Sequence, residues 1–140
     1  MINPNYWLTL TNEKNWRIIK QQEVYAFNDA NKKNFDKIKI GDFIVMYVIR
    51  KKFGGLFKVV NKKMSKKIIF EGDVYNHQIK LKMEFIPEEC LNASEKVVNN
   101  ISIFKDHVRW GTILFGRAIK KITKEDYEFL RKEMEKDGIK

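Results

Sequence analysis

Apolar and polar positions alternate at the start of this chain. In Tyr6-Trp7-Leu8-Thr9-Leu10-Thr11, residues Tyr6, Leu8 and Leu10 share one face, and Trp7, Thr9 and Thr11 share the other. That two-residue period is the mark of a strand. Asn12 reads as a helix N-cap, with Glu13 in the first turn of a short helix to about Gln21. On that helix Trp16 and Ile19 fall on one face. After a polar stretch, Asn28–Lys39, the pair Gly41-Asp42 marks a turn, and Phe43–Ile49 is almost wholly apolar. This run is too short and too β-branched for a helix and predicts a central strand. Arg50–Gly55 reads as a basic turn ending in Gly54-Gly55, with Leu56–Val60 as the returning strand of a hairpin.

A basic loop, Asn61–Lys67, is expected next, then strand propensity at Ile68-Ile69-Phe70. Ile79–Phe85 alternates apolar with charged, which predicts a half-buried strand near an edge. Pro87-Glu88-Glu89 and Ser94-Glu95 read as helix starts, with Val97 and Val98 the apolar residues of the second. Thr123 and Asp126 have the spacing of a capping box with Asp in place of Glu. Tyr127, Leu130 and Met134 then share a helix face through about Lys136. Strands outnumber helices, and the helices sit between or after them. That order predicts a small α+β barrel, not a doubly wound parallel sheet.

Composition narrows the picture. The 140 residues are 44% hydrophobic and include 10 Phe, 5 Tyr and 3 Trp, enough for a core and matched to one domain over 1–140. No apolar run approaches the roughly 20 residues of a membrane span, and no basic-then-hydrophobic leader opens the chain. The expectation is a soluble, intracellular, cytoplasmic protein without a membrane partner. Cys90 has no second cysteine to pair with, and Glu88-Glu89 beside it would raise rather than lower its pKa, so a structural thiol is expected. The net charge is +10, and residues 1–70 hold 15 basic and 5 acidic side chains while residues 71–140 hold 13 of each. A basic half suits an anionic polymer, although a Lys-rich chain shows the same excess for solubility alone.

Catalytic chemistry is sparse. His77, placed in a loop, and His107 stand alone, without Cys or carboxylate at metal-ligand spacing, and no phosphate-cradling glycine motif occurs. No cofactor or metal is called for. The aromatic and amide residues are more informative. Trp7 lies opposite its strand's apolar face, Asn12 and Trp16 follow within a helical turn, and Arg109-Trp110-Gly111 leads into Leu114-Phe115-Gly116-Arg117. A recess walled by aromatics with amides at its rim suits a flat heterocycle, stacked on its face and read along its edge. Taken singly, each aromatic is more often a core residue.

Four segments in order resemble the EVE domain. They are Tyr6–Trp16, Lys39–Tyr47 with its "KxGD" turn, Gly55–Val60, and the closing Arg109-Trp110-Gly111, Leu114–Ile119 and Ile122–Tyr127. The resemblance implies a PUA-like pseudobarrel of mixed strands wrapped by short helices, related to the PUA, ASCH and YTH domains. It implies recognition of a modified base in DNA or RNA, as YTH domains take methylated adenine into an aromatic cage. Carried onto this chain, the pocket candidates are Trp7, Asn12, Trp16, Tyr47, Arg109, Trp110 and Phe115. Arg50, Lys51 and Lys52 would hold flanking phosphates. The competing class is an enzyme or small-molecule binder using the same pocket, with Asp106 and His107 as its acid–base candidates. A protein-interaction module with a basic surface is a third.

Overall fold

The structure, a computed structural model, describes residues 3–48, 52–65, 70, 75–87, 90–92, 97, 100–101 and 119–138. Its strands are β1 (Tyr6–Thr11), β2 (Val24–Phe27), β3 (Phe43–Val48), β4 (Lys52–Met64), β5 (His77–Phe85), β6 (Leu91–Asn92) and β7 (Ile119–Ile122). The helices are α1 (Glu13–Gln22), α2 (Lys32–Lys37) and α3 (Lys124–Gly138), with a 3-10 turn at Asp29–Asn31. They form one mixed, curled sheet in the order β2-β5-β4-β3-β1-β7, with β6 paired to β4. β1 runs parallel to β3, and the other pairings are antiparallel. This is the α+β architecture expected from the element order.

Both faces of the sheet are apolar, so β1 has two cores. Tyr6, Leu8 and Leu10 join Val45, Tyr47, Phe53, Leu56, Ile122 and the α3 residues Tyr127, Leu130 and Met134. Trp7 joins Trp16, Ile19, Ile44, Met46, Phe57, Val59, Ile79 and Leu81 in the cluster beneath α1 and α2. The alternation along β1 was therefore legible, while the burial of both faces was not.

The helix ends form for local reasons. The Asn12 carboxamide oxygen accepts from the Asn15 backbone N–H at 2.7 Å, and α1 stops at Glu23, whose left-handed φ of 52° lets its N–H reach the Ile19 carbonyl. At α3, the Thr123 hydroxyl accepts from the Asp126 N–H while the Asp126 carboxylate accepts from the Thr123 N–H, a reciprocal capping box.

Several expectations need correction. Gly54-Gly55 is not a turn. It lies inside β4, where a Cβ on Gly54 would stand 2.6 Å from Trp16 Cζ2 and one on Gly55 2.4 Å from Ile86 Cδ1. Glycine is needed there because the Trp16 ring lies against the strand. The expected loop over Asn61–Lys67 is strand as far as Met64, because β5 supplies a partner for residues 61–64. β5 is near the edge of the sheet as expected, one strand in from it, since Val24–Phe27 pairs along its other side. His77 is not in a surface loop. It opens β5, is buried, and its Nε2 stands 2.7 Å from Asp29 Oδ1. Its Nδ1 is enclosed and has no partner among the described residues. Pro87 is outside any helix, and Ile68, Ile69, Glu88, Glu89, Ser94, Glu95 and Val98 lie outside the described residues.

Candidate functional site

Two of the expected pocket tryptophans are core residues. Trp7 is 7% exposed, and its indole N–H donates to Asp42 Oδ2 at 2.9 Å. Asp42, itself buried, also accepts from the Asn5 N–H at 3.0 Å and the Lys39 N–H at 2.8 Å. One carboxylate thus ties the 39–42 turn to the entry of β1. Trp16 is 4% exposed, wedged edge-on to Phe57 with ring centroids 5.8 Å apart, and Lys20 lies over its face at 5.3 Å. Trp7 and Trp16 do meet in one cluster, but it is closed, so they do not border an open recess. Tyr47 lies on the other side of the sheet, at an angle to Phe53, and is not brought to them. Arg109, Trp110 and Phe115 lie outside the described residues, as do Asp106 and His107.

An open recess of about 240 Å³ exists beside these cores. It is lined by Leu10, Thr11, Asn12, Asn15, Tyr25, Ala26, Phe27, Asn28, Asn31, Phe70 and Tyr75. Of the expected pocket residues that are described, only Asn12 lines it. The end of β1 and the first turn of α1 form one wall, and β2 with the 3-10 turn forms the other. The Tyr25 hydroxyl bridges them by donating to the Leu10 carbonyl at 2.6 Å. Burial, with Tyr75 nearby, pushes the Tyr25 phenol well above its ordinary range, so it stays a neutral donor. Tyr25 meets Phe27 edge-on at 5.1 Å and Phe70 at 6.1 Å, and Phe70 meets Tyr75 at 5.4 Å. These rings brace one another edge to face.

The rim is made of amides. The Asn28 carboxamide oxygen accepts from both the N–H and the side-chain Nδ2 of Asn31, at 3.1 and 2.9 Å, which fixes the 3-10 turn. The Asn31 oxygen in turn accepts from Asn34 Nδ2. Asn12 uses only its oxygen as the α1 cap, and its Nδ2 has no partner among the described residues. The Asn15 carboxamide is likewise unengaged there. Free amides can donate to and accept from the edge of a planar ligand. No lining residue among the described residues is charged, and such walls suit a neutral aromatic group better than a phosphate. At 240 Å³ it is also smaller than the roughly 300–1,000 Å³ typical of drug-sized ligands.

Sequence reasoning missed Tyr25, Phe27, Phe70 and Tyr75. Val24-Tyr25-Ala26-Phe27, four strand-favouring residues between a helix and an asparagine, was the signal that could have exposed two of them. A second cleft of about 420 Å³ lies between Asn3–Tyr6 and Lys121–Lys124, and among the described residues Tyr6 is its one aromatic lining residue. Of the expected phosphate contacts, Arg50 and Lys51 are outside the described residues. Lys52 opens β4, half-buried, opposite Val48 and Asn92. Cys90 is half-buried and free. Among the described residues no group of three or more His, Cys, Asp or Glu could hold a metal ion, and no helix is long and apolar enough to cross a membrane.

Comparison with known proteins gives this geometry a context. The model of the EVE domain matches residues 5–133. The UPF0310 protein PH1033 of Pyrococcus horikoshii is 27% identical over 143 residues, covering 91% of this chain and 97% of the relative. Among solved structures, the Mmi1 YTH domain superposes with a TM-score of 0.70 at 13% identity, covering 99% of this chain and 92% of that one. A Mmi1 YTH domain solved in complex with RNA gives a TM-score of 0.68 at 13% identity over 96% of this chain and 79% of that one. The curled sheet with its short helices is therefore the YTH-like, PUA-like fold.

Proposed function

Because the chain belongs to the EVE domain family, we propose that it is a nucleic-acid-binding module that takes one extruded, modified base into the recess between α1, β2 and the 3-10 turn. One observation carries the reading: a recess of single-base scale, uncharged among its described lining residues, where four aromatic side chains meet the amides of Asn12 and Asn15. The aromatics supply stacking surface, Asn12 Nδ2 and Asn15 read the edge, and phosphates stay outside the uncharged walls. The YTH-like neighbour solved with RNA supports a nucleic-acid partner. No catalytic step is assigned; the recess binds.

The test is a panel of short single-stranded DNA and RNA oligonucleotides, each with one modified or unmodified base, bound at two salt concentrations. The protein is expected to prefer one modification at both salts. Tyr75→Ala, which removes a half-buried wall, should lose that preference while keeping the fold and the weak, salt-sensitive binding. Stacking is worth about 1–3 kcal/mol per base, so preference should fall by roughly 5- to 150-fold. Unchanged preference in a folded Tyr75→Ala protein would place the base elsewhere.

A further inference from the structure

The face of the sheet that packs on α3 buries Leu8, Val45, Phe53 and Leu56, and its continuation is half-buried at Lys58 on β4 and exposed at Lys80 and Lys82 on β5. On that continuation Lys58 stands directly opposite Lys82, and Lys80 stands opposite Asn61. Lys80 and Lys82 are exposed and Lys58 is half-buried against Phe43, its Nζ 5.7 Å from the ring centroid. Like charges directly across a ladder are unfavourable, and a sheet built only for stability would place opposite charges there.

Several other cations of the described residues have partners. Lys32 pairs with Asp36, Arg131 with Glu135 and Lys136 with Glu133, while Lys62 donates to the Phe35 and Ile38 carbonyls. Lys58, Lys80 and Lys82 have no carboxylate partner among the described residues. Two acids of this region are otherwise placed: Glu23 accepts from the Met83 N–H, and Glu84 acts on Tyr127 and Arg131. Asn61 completes the donor-only character. Its carboxamide oxygen accepts from the Lys62 N–H at 2.8 Å, and its amide group is exposed beside Lys80.

We infer that this face is a phosphodiester contact surface, in which Lys58, Lys80 and Lys82 with the Asn61 amide hold the backbone of the nucleic acid whose base occupies the recess. The inference rests on the proposed nucleic-acid partner and locates its phosphates. β2 ends the sheet order among the described residues, and Tyr25 on its recess side pairs with Ile79, next to Lys80. Lys80 projects from the opposite face of the sheet, so a strand leaving the recess would round the β2 edge to reach it. Lys80 and Lys82 are two residues apart on one strand, about 6.5–7 Å, a spacing that lets them take separate phosphates.

The experiment measures oligonucleotide affinity against salt for the full chain and for Lys58→Gln/Lys80→Gln/Lys82→Gln. The slope of log affinity against log salt should flatten by about 2, from roughly 0.7 per lysine on a single strand. Modification preference should stay intact. The variant should melt no lower than the parent, and Lys80→Gln/Lys82→Gln, which keeps the Lys58 contact with Phe43, should show about two-thirds of the effect. A control on α3, Lys124→Gln/Lys132→Gln/Lys136→Gln, should leave the slope near its parent value. An unchanged slope in the first variant, or an equal loss in the control, overturns this surface and leaves the recess reading standing. A flattened slope with a recess variant that keeps its preference supports this surface and overturns the recess. If the parent binds no oligonucleotide but sediments with phosphatidylserine vesicles through these lysines, both readings fall.

Discussion

Trp16 and Tyr75 are both aromatic, both sit near asparagines and both could have walled a base pocket, yet the molecule uses them differently. Trp16 is enclosed: Gly54 and Gly55 withdraw to admit its ring, Phe57 meets its edge and Lys20 covers its face. Tyr75 is half-buried, holds Phe70 edge-on and faces an open space whose opposite wall carries Asn12 and Asn15. The same contrast separates Trp7, anchored through its N–H to a buried carboxylate, from Tyr25, whose hydroxyl reaches across the recess to a backbone carbonyl. Residue type gives an aromatic its surface area. Whether that surface serves the fold or a ligand depends on whether neighbouring backbone closes over it.

The strongest way to break this comparison is Trp16→Ala. An enclosed ring over two glycines leaves a cavity that the strand cannot fill, and the expected cost is about 3–5 kcal/mol. That is a large part of the stability of a small domain, so a thermal melt should show a large drop or no cooperative transition. A Trp16→Ala protein that melts near the parent and merely loses base preference would move Trp16 into the binding site.

Asp42→Ala tests the Trp7 half of the comparison. It leaves the Trp7 indole and the Asn5 and Lys39 N–H groups without their acceptor, two of them only partly buried. One buried orphan donor costs about 1–3 kcal/mol, so a loss of about 2–3 kcal/mol is expected by chemical denaturation, with unchanged oligonucleotide preference in the folded fraction.

Tyr25 sharpens the comparison because it belongs to both the core and the recess. Burial raises its phenol pKa, as it does that of Tyr127. An unfolded tyrosine ionises near 10, so above that pH the unfolded chain holds fewer protons than the folded one. The contribution is therefore fully present below about pH 10 and is lost as pH rises beyond it, at up to about 1.4 kcal/mol per pH unit for each tyrosine. Tyr25→Phe should flatten this alkaline loss in urea melts between pH 9 and 11, and should cost about 1 kcal/mol at neutral pH for the orphaned Leu10 carbonyl. An alkaline limb unchanged in Tyr25→Phe would assign it to Tyr127 alone.

What was legible from the chain is local. The alternation in β1, the Asn12 cap, the Thr123–Asp126 capping box and the apolar run of β3 each depend on residues within a few positions of one another, and each formed as read. The basic excess was equally plain, since charge is a property of composition. Tertiary structure decided the rest. β2 is four residues long, too short for periodicity to declare, and it becomes a strand because β5 offers a ladder. That pairing puts β5 one strand in from the edge and brings Tyr25 and Phe27 to the recess. The parallel register of β1 on β3 joins residues 37 apart and closes Trp7 beneath α1, where an isolated strand would have left it open. A side chain's direction follows from the local backbone, but its exposure depends on what packs against it, and that partner comes from elsewhere in the chain.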